Sequence, residues 1–82
     1  MARHEVVSPI PGVFYHRPDP GSPEYVEPGQ EVTASDTVGL VEVMKSFFPV
    51  EAGVAGTVVG FVADSESVVD AGQALVVLEV SG

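Results

Sequence analysis

The sequence predicts an all-β fold, and three observations carry that expectation. Valine is the commonest apolar residue, 9 glycines and 7 prolines break the 82-residue chain into short pieces, and two stretches of the chain resemble each other. No window keeps a helical period over three turns, so no α-helix is expected. The expected architecture is a flattened β-barrel or sandwich of two four-stranded antiparallel sheets related by a pseudo-twofold axis.

Taken in order, Val6 to Tyr15 reads as two short extended pieces around the Pro9-Ile10-Pro11-Gly12 bend. The three prolines between His16 and Glu24 rule out helix and central strand and leave a stiff protruding loop. Glu27-Pro28-Gly29-Gln30 is a turn, Glu31-Val32-Thr33 a short strand, and Ala34-Ser35-Asp36 a second turn. Thr37 to Val43 is an apolar, β-branched strand, and Phe47 to Glu51 is the next. Apolar strands on both sides make Met44-Lys45-Ser46 a candidate hairpin tip. Gly53 to Gly56 turns into a strand over Thr57 to Ala63, Asp64 to Ser67 turns into Val68-Val69, and Ala74 to Val80 is the final strand.

Val32 to Glu42 matches Val69 to Glu79 without a gap, a displacement of 37 residues, while Gly12-Val13-Phe14 matches Gly56-Thr57-Val58 at 44. The seven extra residues fall in the proline-rich loop, which is therefore an insertion at about 17–25 in the first half. Neither half has core enough to stand alone, so two four-strand units must sandwich together into one domain spanning 1–82. The pseudo-twofold then sets the Lys45 hairpin opposite the region where both chain ends meet.

Composition excludes several functions. Three basic residues against 12 acidic ones give a net charge of −9, which argues against nucleic acid and against an anionic membrane surface. No apolar run approaches the roughly 20 residues of a spanning helix, and Met1 to Glu5 lacks a signal-peptide core. A cytoplasmic protein is expected. No cysteine is present, so disulfides and thiolate metal sites are absent, and His4 and His16 lack paired spacing for a metal. His16, beside Arg17 on the loop, is read as solvent-exposed. No Gly-x-Ser-x-Gly nucleophile elbow and no phosphate loop occur, so the chain is not expected to be an enzyme by itself.

One residue stands out. Lys45 is the only lysine, and it sits at the tip of a hairpin near mid-chain. An amine held out on a turn by two buried strands suits an attachment point better than a catalytic base. An ordinary lysine amine is protonated at neutral pH, so a partner must activate it.

Four segments now carry a resemblance: Ser8 to Tyr15, Val26 to Val32, Val41-Glu42-Val43-Met44-Lys45, and Glu51 to Val58. From about Val7 to Val80 the chain resembles the biotinyl carrier domains, a barrel-sandwich hybrid of the biotinyl/lipoyl kind. More specifically, it resembles the biotin carboxyl carrier proteins of the acetyl-CoA carboxylase type. The resemblance implies that Lys45 is covalently biotinylated, with Met44 and Ser46 as flanking recognition residues. It further implies that the loop holding Pro18, Asp19, Pro20, Gly21, Ser22 and Pro23 is the "thumb" of such carriers; contact of this stiff flap with the cofactor is a separate expectation, from its prolines and its place near the arm. The implied partners are a biotin protein ligase, a biotin carboxylase and a carboxyltransferase, with self-association left open. The implied role is a non-catalytic carrier of carboxyl groups for lipid and fatty-acid biosynthesis, whose acyl-CoA the carrier itself does not choose. Ser46 departs from the family, which usually has a second methionine there, and Phe48-Pro49 replaces a more polar pair. The Ala/Pro-rich linker common before such domains is not seen ahead of Val6. Two alternatives remain on the same fold: a lipoyl carrier, which usually has an acidic residue before the lysine, and an unmodified protein-interaction module.

Overall fold

The computed structural model describes residues 2–81. Among them eight strands form: β1 (Ala2–Val7), β2 (Gly12–Tyr15), β3 (Glu31–Val32), β4 (Thr37–Val43), β5 (Ser46–Glu51), β6 (Gly56–Phe61), β7 (Ser67–Val69) and β8 (Ala74–Val80). No helix occurs among the described residues. One antiparallel sheet has the order β1-β8-β6-β3 and the other β5-β4-β2-β7. The molecule measures 38 × 27 × 19 Å, and its thin axis fits two sheets stacked about 10 Å apart with their outer side chains.

The two sheets have one plan. Exchanging β1 with β5, β8 with β4, β6 with β2 and β3 with β7 turns one strand order into the other. Strands β4 and β8 even share their burial pattern residue by residue along seven positions. The repeat seen in the sequence is thus written into hydrogen bonds. The Thr33 amide donates to Asp36 Oδ2 (2.8 Å), and 37 residues on the Asp70 amide donates to Gln73 Oε1 (3.0 Å). Gly29 N–H donates to Val58 O as Glu66 N–H donates to Phe14 O. Gly12 and Gly56 are the matched close approaches between strands. A Cβ there would stand 2.5 Å from Glu42 O and 2.7 Å from Glu79 O, nearer than any side chain tolerates.

The core lies between the sheets. Val6, Val58, Val76 and Leu78 from one face Phe14, Val38, Val41, Val50 and Val69 from the other. The neighbouring pairs Val38/Gly39 and Leu75/Val76 are buried together although alternation would put one of each outside. In β4 a register shift between Thr37 and Gly39 accounts for this: a bulge turns the strand so that consecutive residues face inward.

Several expected boundaries move. β1 begins at Ala2 rather than near Val6, because Ala2 to Val7 pairs along Val80 to Ala74. β6 begins at Gly56 and stops at Phe61, before the turn residues Val62 and Ala63. Ser46 is the first residue of β5 and pairs with Val43, which leaves a tip of two residues rather than three.

Candidate functional site

The tip is Met44-Lys45. Pairing of Val43 with Ser46 leaves only these two residues to reverse the chain, and both have positive φ, 48° and 66°. This is the primed hairpin geometry, whose twist matches that of the flanking strands, and it normally selects Asn or Gly. An L-residue with a Cβ pays roughly 1–2 kcal/mol for the left-handed conformation. The tip therefore keeps two long side chains at a conformational cost. Lys45 is exposed, and Met44 is 94% exposed. Met44 does not cover the edge of the core.

Behind the tip, the outer face of the β5-β4-β2-β7 sheet is largely apolar. Register places Phe47 opposite Glu42, and Tyr15 and Pro49 on either side of Leu40, with these side chains on the same outward side. Phe47 is 55% exposed and its ring lies 6.2 Å from that of Tyr15. The Tyr15 hydroxyl donates to Glu42 Oε1 at 2.8 Å. That bond, together with partial burial and the negative charges of Glu42 and Glu66, raises the Tyr15 phenol above its ordinary value of 10.0. The phenol's proton is held more tightly in the fold than in the unfolded chain. The associated stability is therefore complete below about pH 10 and is lost as pH climbs through the raised value. Alkaline titration followed by near-ultraviolet absorbance is expected to show a late phenol in the native protein, and Glu42→Gln is expected to move it earlier. An unmoved phenol would remove Glu42 as the cause.

The proline-rich loop between β2 and β3 arches beside this face. Its apex is braced internally: Gly21 N–H and Ser22 Oγ–H donate to the two carboxylate oxygens of Asp19, at 3.0 and 2.9 Å. Between the loop and the sheet lies a cleft of about 500 Å³. Tyr15 and Phe47 line it from the sheet, Arg17, Pro18, Asp19 and Pro20 from the loop, and Ser65 and Glu66 from the turn before β7. Phe47 follows Lys45 by two residues, so their backbones are within roughly 7 Å of each other. Of the loop residues singled out in the sequence, Pro18, Asp19 and Pro20 line the cleft, whereas Gly21, Ser22 and Pro23 do not.

His16 corrects the sequence reading. It is not solvent-exposed: its side chain is 12% accessible, stacked on Phe61 with ring centroids 3.6 Å apart and planes 12° from parallel. Alternation along β2 puts Phe14 inward and Tyr15 outward, so the next residue again turns inward. That period was available in the sequence, and the adjacent Arg17 and proline run obscured it. Tyr15 and Glu42 could not be paired beforehand, since the register between β2 and β4 is not a local property. Among the described residues no three His, Asp or Glu side chains gather as metal ligands.

Comparison with known proteins agrees with this geometry. Residues 4–78 match the biotin/lipoyl family model, described as "Biotin-requiring enzyme". The chain is 39% identical over 74 residues to the biotin carboxyl carrier protein of acetyl-CoA carboxylase from Pyropia yezoensis, covering 90% of this chain and 47% of that protein. It is 35% identical over 79 residues to the protein of the same name from Haemophilus influenzae, covering 96% and 51%. The chain thus spans about half the length of these relatives. Among solved structures, the Kluyveromyces lactis urea carboxylase superposes with a TM-score of 0.77 at 25% identity, over 96% of this chain and 6% of that one. A single-chain, multi-domain long-chain acyl-CoA carboxylase superposes equally well (0.77) at 19% identity, over 98% and 7%, a likeness of fold. With the matched model spanning nearly all the strands and a lone lysine on the exposed hairpin, the chain belongs to the biotin/lipoyl family, described as "Biotin-requiring enzyme".

Proposed function

We propose that the chain is the biotin carboxyl carrier component of a biotin-dependent acyl-CoA carboxylase, acetyl-CoA being the expected substrate of the whole complex, with Lys45 as the attachment point. The observation that carries this reading is the sole lysine, exposed on a two-residue turn whose two residues both sit in the left-handed region. Strained, functional-looking turns are kept where the side chains matter more than the turn's own stability. Biotin, when attached, supplies the ureido nitrogen that carries the carboxyl group. The chain supplies a rigid two-sheet base, an amine at its apex, and little around that amine to impede entry into a partner's active site. A tethered group visits each partner at a high effective concentration without any new contact. Activation of the Lys45 amine falls to a biotin protein ligase, and loading and unloading to a biotin carboxylase and a carboxyltransferase.

Met44 is assigned to recognition by the ligase, since its side chain is almost wholly exposed and leaves the core alone. Met44→Gly is expected to stabilise the fold by about 1 kcal/mol, because glycine accepts the left-handed turn freely. The same change is expected to slow enzymatic biotinylation about tenfold, a loss of the size expected for one exposed anchor side chain. Denaturant unfolding and a timed mass assay read the two effects separately. An unchanged biotinylation rate would remove Met44 from the recognised surface.

The cleft under the loop fits the cofactor's fused-ring head in kind. Phe47, Tyr15 and two prolines offer apolar faces, and Arg17, Asp19, Ser65 and Glu66 offer donors and acceptors for a urea group. It is assigned as the resting place of the tethered head between visits. Incubation with a biotin protein ligase, ATP and biotin should add one biotinyl mass to the chain, while a lipoyl ligase with lipoate should add none. An adduct only in the second reaction would overturn the proposal.

A further inference from the structure

Loop 17–24 carries three prolines, yet prolines stiffen a loop without saying where it points. Its direction has to come from its roots. Four polar contacts converge on His16 at one root. Its Nε2 lies 2.7 Å from the Ala63 carbonyl and its Nδ1 3.1 Å from Glu24 Oε2. Its backbone N–H donates to Ser65 Oγ at 3.1 Å, and its carbonyl accepts from the Tyr25 amide at 2.9 Å. His16 therefore ties the start of the loop to its end, through its ring at Glu24 and its backbone carbonyl at Tyr25, and ties both to the turn after β6, through its ring at Ala63 and its backbone N–H at Ser65. The ring is held flat against Phe61 and edge-on to Phe14, 5.3 Å away, so it cannot swing without disturbing the core.

We propose that His16 is a latch that sets the loop over the cleft, and so acts as a positioning residue for the tethered head. This rests on the resting-place reading of the cleft. Both ring nitrogens face oxygen acceptors, and Arg17 reaches the same Glu24 oxygen from the loop at 3.7 Å. Glu24 is thus the loop's half of the latch, and Ala63 and Ser65 are the scaffold's half. The latch residues are distinct from those that line the cleft, apart from Ser65. Its work is to hold Arg17 to Pro20 at a fixed height above Phe47.

The test uses the whole chain, unmodified and biotinylated, as wild type, His16→Phe, His16→Arg and Glu24→Ala. Phenylalanine keeps the stack on Phe61 and removes both ring bonds. Arginine restores a planar, in-plane donor that also stacks on aromatic faces. Prolines 18, 20 and 23 have no amide proton, so the loop is read from the Asp19, Gly21, Ser22 and Glu24 amides. In the unmodified wild type these amides are expected to have order parameters near 0.85, falling below about 0.6 in His16→Phe and Glu24→Ala and recovering in His16→Arg. Exchange of the Tyr25 amide should quicken about tenfold in the two broken variants, while the Leu75 and Leu78 amides stay protected and show the sandwich intact. In the biotinylated wild type, nuclear Overhauser contacts should join the cofactor head to Pro18 and Pro20, fade in His16→Phe and return in His16→Arg. A loop that stays ordered in folded His16→Phe or in Glu24→Ala overturns the latch; the half-buried Glu24, outside the core, keeps the test valid should the His16 variant not fold. An ordered, latch-dependent loop without contacts to the head in the wild type overturns the resting place and leaves the latch standing.

Discussion

Lys45→Arg is expected to leave the protein folded and wholly without biotin after incubation with ligase, ATP and the vitamin. The substitution retains the positive charge, the length and the exposure of the side chain, and it faces the same left-handed turn. What it removes is an amine that can be deprotonated and acylated, because a guanidinium keeps its proton throughout the accessible range. No second lysine is present to take over. Intact mass should show one biotinyl group on the wild type and none on the variant, and streptavidin should capture only the former. Unfolding free energies of the two should agree within about 0.5 kcal/mol, as for exposed substitutions generally. A biotinyl adduct retained by Lys45→Arg would place the attachment elsewhere and dismantle the proposed function.

Phe14→Ala is expected to cost about 3–5 kcal/mol, the range for deleting a buried phenyl ring. In a domain whose total stability is on the order of 5–15 kcal/mol, that loss brings the chain close to unfolding. Phe14 has no exposed surface and stands between the two sheets. Its surroundings cannot close over the gap. A Cβ on Gly39 would collide with the ring, so one wall of the cavity is backbone already in close contact within a paired strand. Phe61 and His16 make another wall, at 6.1 and 5.3 Å from the Phe14 ring, and both are engaged in the stack that holds the loop. Urea unfolding followed by circular dichroism measures the change. A loss under about 1 kcal/mol would mean that the site collapses freely and that Phe14 is not the centre of the core.

The two effects lie on different links of one chain of causes. Phe14 acts through packing: it joins the sheets, and through His16 it sets the base of the loop. Lys45 contributes almost nothing to packing, and its value is chemical. The hairpin bridges the two, since β4 buries Val41 in the core and turns Glu42 outward, and the tip exposes Lys45 four residues after Val41. Rigidity at one end of that strand is what gives direction to the amine at the other.

Most of the fold was legible in the residues. Period-two alternation and glycine–proline punctuation mark strands and turns because side-chain facing and turn dihedrals are local properties. The final strand, Ala74 to Val80, is found at its expected limits, and the 37- and 44-residue displacements recur as matched hydrogen bonds. Boundaries went astray where pairing, and not composition, decides them. Arg3, His4 and Glu5 are polar or charged, and Ala2 to Glu5 is strand only because β8 lies alongside to bond it.

By itself, then, the amino-acid order determined an all-β sandwich of two like halves with one lysine at a hairpin apex, since each of these follows from neighbours a few residues apart or from similarity along the chain. The tertiary structure alone decided that Tyr15 meets Glu42, that Phe47 and the loop enclose a cleft, and that His16 turns inward to bind Glu24 and Ala63. Those contacts join residues 8 to 47 positions apart, and their register is set by how the two sheets close on a shared core.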